Sequence, residues 1–312
     1  MMDELTAVRV AELYYDDNKT QDEIGTLLGL TRWKIGRLLA QARDEGIVRI
    51  EIVHPRARKL ALERALKERF GLVDAIVVPA PDEEAEILPR VAGAAADYLS
   101  ALQPPLVSLG LSWGRTLNEV AQKLEQGWAR GVTVVQINGG VTLNKQAGTA
   151  ATTAAMIADK ANGHAVLLPS PAILERPETK AAIEADRTVA GVLAMAGDVD
   201  AYLFSAGVVD ETSVHVEGGY LSKQEIQELV HKGAVGDVVG RYVDASGSIV
   251  DDSLNERTLG VSVDHLRTAK YAIFVVAGAT KHAIARAVVS NRLCSVLVTD
   301  EVTAVSLMKE TP

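Results

Sequence analysis

Three short stretches bring glycines, hydroxyls and a cation together in the pattern that holds an anion. Ser112-Trp113-Gly114-Arg115-Thr116 leads from an apolar run into a helical pattern. The free amides of a glycine turn at a helix start, with the hydroxyls of Ser112 and Thr116, suit a phosphate. Asn138-Gly139-Gly140 follows another apolar run; there the glycines let backbone approach a ligand, and the Asn138 amide can both donate and accept, as sugar hydroxyls require. Thr280-Lys281 opens a further helical pattern. A lysine is unusual at that end because the helix dipole repels it, so Lys281 is read as a phosphate cation. Gly207 and, as an anion clamp, Arg257 in LNERTLG are additional candidates. None of these loops is a Walker motif or a GxGxxG fingerprint, which disfavours ATP and NAD, and glycine loops of this kind also serve as plain turns.

A second constellation is cationic. Arg32, Lys34, Arg37 and Arg43 occupy the stretch from Thr31 to Arg43 with no acid among them. Such a face attracts phosphates by counterion release, and a forked guanidinium at Arg32 or Arg37 can hold guanine O6 and N7 together. With Trp33 on the same face and Thr20, Gln21 and Thr31 at the adjoining helix starts, Arg32, Lys34 and Arg37 form the candidate DNA-contacting set. Over residues 1–53 seven Lys and Arg stand against ten Asp and Glu. The local patch, not a basic domain, therefore carries the reading.

Caps and periodicity predict the elements that position these groups. Thr20 can cap a helix while Glu23 reaches back to its amide; Ile24, Leu27 and Leu28 form one buried apolar stripe, and Gly29 suits a left-handed stop. Thr31 offers a second N-cap, after which Ile35, Leu38, Leu39 and Ala42 repeat the stripe, giving a helix-turn-helix. Leu5, Val8, Ala11, Leu13 and Tyr14 predict a helix ahead of it. After Gly46, residues 47–53 alternate as a strand with one wet face, suited to a wing, and Pro55 breaks it. A connecting helix is then expected to Phe70, suited either to pairing subunits or to packing on the next domain.

From Leu72 short apolar runs alternate with helical patterns, which predicts βα units and a mostly parallel sheet. Strands are expected at 75–78, 106–111, 132–137, 164–168, 201–207, 271–278 and 295–300. Helices are expected near 85–102, 116–126, 149–161, 179–196, 222–232, 281–290 and 301–309. Residues 233–252 break the rhythm and suggest an antiparallel insertion. The expected architecture is α/β: a small all-α helix-turn-helix domain over 1–53, a connecting helix over 54–71, and a doubly wound parallel-sheet domain over 72–312. In such sheets ligands sit beyond the carboxyl ends of the strands, where the anion loops fall.

Composition narrows the class. The 312 residues suit two domains, and 48% hydrophobic with 4% aromatic residues fits an Ala/Val-rich α/β protein. A net charge of −9 disfavours non-specific polyanion binding; contact with DNA must come from one placed patch, doubled by oligomerisation. Cys294 is the only cysteine, so no internal disulfide forms and a reducing cytoplasm is expected. The six histidines have no close spacing, and no zinc site or cofactor is read. No signal peptide or bilayer-spanning run is evident, so no membrane partner is expected.

The order of features is more specific than any one of them: ELYY, the helix-turn-helix, GIVRI, SWGRTL, QINGG, GAVGD, LNERTLGV, VVAGATKHAIA and LVTDEVTA. Together they resemble the SorC family of sugar-sensing bacterial transcriptional regulators, also called DeoR-like, over nearly the whole chain. The resemblance implies an effector domain similar in fold to sugar-phosphate isomerases and glucosamine-6-phosphate deaminase, a cytoplasmic oligomer, often a tetramer, and a phosphorylated sugar or relative that alters operator affinity. It places the phosphate loop on Ser112, Gly114, Arg115 and Thr116, the sugar-facing turn on Asn138, Gly139 and Gly140, and the phosphate lysine on Lys281. A Schiff-base effector would need a lysine where Asn138 stands, and an amide forms no imine; Lys145 lies a few residues on. The alternative is a sugar-phosphate isomerase or deaminase with an added DNA module, using Asp210, Asp251 or Asp252 as general base. A blander alternative is a nucleotide- or protein-binding module without a role in transcription.

Overall fold

Side-chain caps set the first helices. The computed structural model describes residues 2–48, 58–140 and 150–309, and the chain divides into the units Met1–His54 and Pro55–Pro312. The smaller unit holds α1 (Met2–Tyr15), α2 (Gln21–Leu28) and α3 (Arg32–Asp44). At the start of α2, Thr20 Oγ1 accepts from the Glu23 amide while Glu23 Oε2 accepts from the Thr20 amide at 2.8 Å. Gly29 closes α2 at φ 65°, and Thr31 Oγ1 accepts from the Lys34 amide to start α3. Val10, Leu13, Ile24, Ile35, Leu38, Leu39 and Ala42 are among the buried residues of one core.

One expectation for this unit is corrected: Leu27 is 61% exposed. At about 100° per residue, Gly25 and Leu28 lie to one side of Ile24 and Leu27 to the other. The core is on the first side, because a Cβ on Gly25 would stand 2.6 Å from the Leu30 carbonyl oxygen. Glycine lets the turn close directly on the helix. The strand expected over 47–53 falls mostly outside the described residues.

Among the described residues the larger unit has ten strands: β1 (Asp74–Val78), β2 (Ser108–Leu111), β3 (Thr133–Gln136), β4 (His164–Val166), β5 (Ala201–Phe204), β6 (Ala206–Gly207), β7 (Gly236–Val238), β8 (Arg241–Val243), β9 (Tyr271–Val275) and β10 (Val296–Asp300). Seven form a parallel sheet in the order β1-β10-β9-β5-β2-β3-β4. Alternate residues feed opposite cores: Val77, Val135, Phe204, Phe274 and Leu297 face one, Ile76, Leu109, Leu111, Leu203, Ile273 and Val298 the other. A sheet covered on both faces explains the near-continuous apolar runs. The expected insertion is a three-stranded antiparallel sheet, β6-β7-β8, growing from the end of β5. The single helix expected at 179–196 is instead two, because Asp186 caps a new start by accepting from the Thr188 and Val189 amides.

The segment before β1 belongs to this unit. Leu66 of α4 (Leu60–Phe70) is fully buried in the first core. β1 is an outer strand, and side chains take up its outward polar groups. Glu63 Oε1 accepts from the Val77 amide at 2.9 Å, Arg58 Nη2 donates to the Ala75 carbonyl at 3.3 Å, and Asp74 Oδ1 accepts from the Ala75 amide at 2.9 Å. The Lys59 amide donates to the Val77 carbonyl at 2.9 Å. Arg58 and Glu63 are themselves paired through Nε–Oε1 at 2.7 Å and Nη2–Oε2 at 2.8 Å.

Candidate functional site

From β2 the chain runs through β3 to β4 on one side, then returns to place β5, β9 and β10 on the other. The crevice beyond β2 and β5 is thus the switch point where open parallel sheets bind ligands. A cavity of about 460 Å³ lies there, within the usual span for small-molecule sites. Its walls include Ser112 to Thr116 after β2, Asn138 after β3, Ser205 to Gly207 after β5, and Gly278, Thr280 and Lys281 after β9. The antiparallel sheet adds Asp237, Val239 and Gly240, and the connection from β6 to β7 adds Ser213 and, on the short helix Val214–Glu217, His215.

One end is suited to an anion. Gly114, at φ 129°, turns the chain into the helix Arg115–Lys123, and Gly278, at φ 89°, turns it toward Lys281. A Cβ would meet nothing within 4 Å at either, so it is the positive φ, not crowding, that calls for glycine. The Gly278 amide donates to Asp300 Oδ2 at 3.0 Å, which anchors the second turn to β10. Lys281 Nζ reaches Thr116 Oγ1 at 3.5 Å and Ser205 Oγ at 3.4 Å. Burial of this ammonium pulls its pKa down to about 8, with Arg115 acting in the same sense and Asp237 opposing them. An anion would supply the charge that this group lacks.

In the rest of the cavity apolar side chains such as Ile87, Leu88 and Val239 alternate with polar groups, none of them cationic. His215 Nδ1 lies 2.9 Å from the Tyr242 hydroxyl, burial holds its pKa below the usual imidazole value, and its Nε2 has no partner. Asn138 Oδ1 is also buried without one. A buried polar atom left unpaired is costly, and both residues line the cavity. Gly207 makes room for Asp237, whose Oδ1 lies 2.0 Å from where a Cβ would be.

Of the residues named from sequence, the cavity gathers Ser112, Gly114, Arg115, Thr116, Asn138, Gly207 and Lys281. The structure places Gly139, Gly140 and Arg257 behind it. Gly139 is pressed against the Pro171 carbonyl, and its own carbonyl accepts from Trp113 Nε1 at 2.8 Å. Gly140 donates to the Ser170 carbonyl at 2.9 Å. Arg257 Nη1 donates to the Leu174 carbonyl at 3.0 Å, with Glu225 3.8 Å from Nη2. Lys145 lies outside the described residues. Sequence reasoning missed Asp237 and His215; the single acid in GAVGDVVG was the available signal for Asp237, and no comparable signal marked His215. The three acids considered as general bases sit elsewhere. Asp210 accepts from the Thr212 amide and hydroxyl, Asp251 caps a helix and pairs with Lys232, and Asp252 is exposed.

In the smaller unit Arg32, Trp33 and Arg37 are exposed on α3, with Lys34 and Gln21 half-buried beside them. The Thr20 and Thr31 hydroxyls serve as caps. Arg32 Nη1 lies 3.6 Å from Asp22 Oδ2, both side chains being about 70% exposed. Asp22 therefore competes with any phosphate or base for this guanidinium. Asp22→Asn is expected to tighten binding to duplex DNA about two- to fivefold in anisotropy titrations at low salt, with a smaller gain at high salt. No gain at low salt would show that Arg32 takes no part.

No helix among the described residues is long and apolar enough to cross a membrane. Residues 54–309 match the family described as "Putative sugar-binding domain". The chain is 30% identical over 306 residues to the deoxyribonucleoside regulator of Bacillus subtilis (strain 168), with 97% of each chain covered. It is also 30% identical over 310 residues to the sorbitol operon regulator of Klebsiella pneumoniae, again with 97% of each covered. Among solved structures, the full-length sorbitol operon regulator SorC from Klebsiella pneumoniae matches with a TM-score of 0.73 at 29% identity, covering 99% of this chain and 100% of that one.

Proposed function

Because the chain belongs to the SorC family of sugar-binding, DNA-binding transcriptional regulators, we propose that it is a cytoplasmic repressor of carbohydrate or nucleoside catabolism genes, controlled by a phosphorylated sugar or polyol. The observation that carries the effector class is the enclosed Lys281 ammonium beside the Thr116 and Ser205 hydroxyls, facing a helix start. In this reading Ser112, Gly114, Arg115, Thr116 and Lys281 hold the phosphate, while Asn138, His215 and Asp237 meet the hydroxyls. Gly139, Gly140 and Arg257 shape the wall, and Gly207 gives Asp237 its place. The ligand is held reversibly, since Asn138 cannot form an imine.

Paired α3 helices of a dimer or tetramer read the operator with Thr20, Gln21, Thr31, Arg32, Trp33, Lys34 and Arg37, one helix in each major groove. To switch the protein, the effector must bind one conformation better, typically by ~1–3 kcal/mol. Holding rather than turning over the ligand is supported by the relatives, which are named as regulators. Mobility shifts on promoter fragments from its own locus, with and without phosphosugars, test the regulatory reading. Turnover of any phosphosugar by the purified chain would refute it.

Effector affinity is expected to have a pH window. A phosphate monoester takes its second charge near about pH 6, and Lys281 loses its proton as pH rises through about 8. Affinity should therefore peak between these values and fall on either side. Calorimetric titration with a phosphosugar over that range checks it; affinity still rising above the lysine's pKa would remove Lys281 from the phosphate site.

A further inference from the structure

Trp33 is 69% exposed, and it stands near the start of α3, the helix proposed above to enter the major groove. Four residues on, Arg37 shares its face, and the Arg37 guanidinium lies over the indole, 4.9 Å from the ring centroid. This stacking rests the guanidinium on a planar platform, so less side-chain freedom is lost when its fork engages a ligand. It also covers one ring face and leaves the rest of the indole, its edge included, as open apolar surface. Arg32 differs from Arg37 in being drawn toward Asp22 on α2.

Base edges in the major groove offer an apolar group at one place, the thymine C5-methyl, and offer a guanidinium fork two acceptors in line on guanine. We propose that Trp33 and Arg37 act as one reading unit for a guanine next to a thymine, with Arg37 donating to guanine O6 and N7 and the Trp33 edge packing on the thymine methyl of the neighbouring base pair. This rests on the operator-binding reading and adds base identity to it. Losing the methyl contact removes the burial of about one carbon, worth about fourfold in affinity. Losing the bidentate contact costs about tenfold or more.

The test is selection of full-length protein from a randomised duplex library, followed by titration of the best duplex with uracil in place of the thymine. The wild-type chain should enrich a guanine beside a thymine, Trp33→Ala should keep the guanine and lose the thymine, and Arg37→Ala should lose the guanine. Uracil should weaken wild type about fourfold and leave Trp33→Ala unaffected, with Trp33→Phe in between. Matched thermal unfolding of the variants separates reading from folding. A wild-type site lacking adjacent guanine and thymine overturns the pair while operator binding stands. The same holds if Trp33→Ala selects an unchanged site, including the case in which it alters oligomeric mass instead. Failure of wild type to enrich any duplex overturns the operator reading itself and this inference with it.

Discussion

Lys281→Met should lower affinity for a phosphosugar about tenfold to a hundredfold, the range for losing a charged hydrogen-bonding partner in an enclosed site. The same change should leave the free protein as stable as before or slightly more so. The sign follows from the direction of the pKa. A lysine brought from about 10.4 in the unfolded chain down to about 8 in the folded one penalises folding below the lower value, where both states are protonated. The penalty fades as pH rises to the unfolded value. Methionine keeps most of the stem without the charge. At neutral pH the variant should therefore melt no earlier than wild type, while phosphosugar no longer raises its Tm. A variant that melts early and binds normally would make Lys281 a structural residue.

Gly139→Ala should act the other way, through the fold. A Cβ there would lie 2.2 Å from the Pro171 carbonyl oxygen and 2.6 Å from the Ala172 Cα. Both obstacles are backbone, and that backbone is itself bonded: Gly139 donates to the Leu259 carbonyl at 3.0 Å and Ala172 to the Gly140 carbonyl at 2.9 Å. Neither side can yield alone, so overpacking should cost about 3 kcal/mol, a fall in Tm of about 6–12 °C. Because Asn138 is the preceding residue and lines the cavity, effector affinity should fall as well. Normal melting in scanning calorimetry would show that the segment at 170–172 can retreat freely.

The elements were legible where one local rule decided them. Thr20, Glu23, Gly29 and Thr31 set the first turns through caps that a few neighbouring residues define, and the apolar runs of a sheet covered on both faces announce themselves without knowledge of strand order. The cavity was half legible for the same reason. Ser112 to Thr116, Asn138 and Lys281 each lie where the chain passes from a strand to the next helix, so position in the βα rhythm was enough to select them. Asp237 and His215 arrive on an appended sheet and on a short helix between two of its strands, and only the folded path brings them to the strand tips. Arg257 shows the reverse failure: a guanidinium among acids and glycines suggests an anion, yet the Leu174 carbonyl, 83 residues away, takes it. Leu27 was assigned to the core because periodicity counts apolar residues, whereas the close approach there is made by Gly25, which has no side chain to count.

With the 75 and 77 amides and carbonyls already satisfied by Asp74, Arg58, Glu63 and Lys59, the outermost strand on this flank presents no bare ladder for a foreign chain to continue. Stacking of monomers strand against strand, the route by which exposed sheet margins polymerise, is closed off here. Any contact between copies on this flank would have to be written in side-chain complementarity, which can stop at a defined copy number, whereas ladder growth has no built-in end.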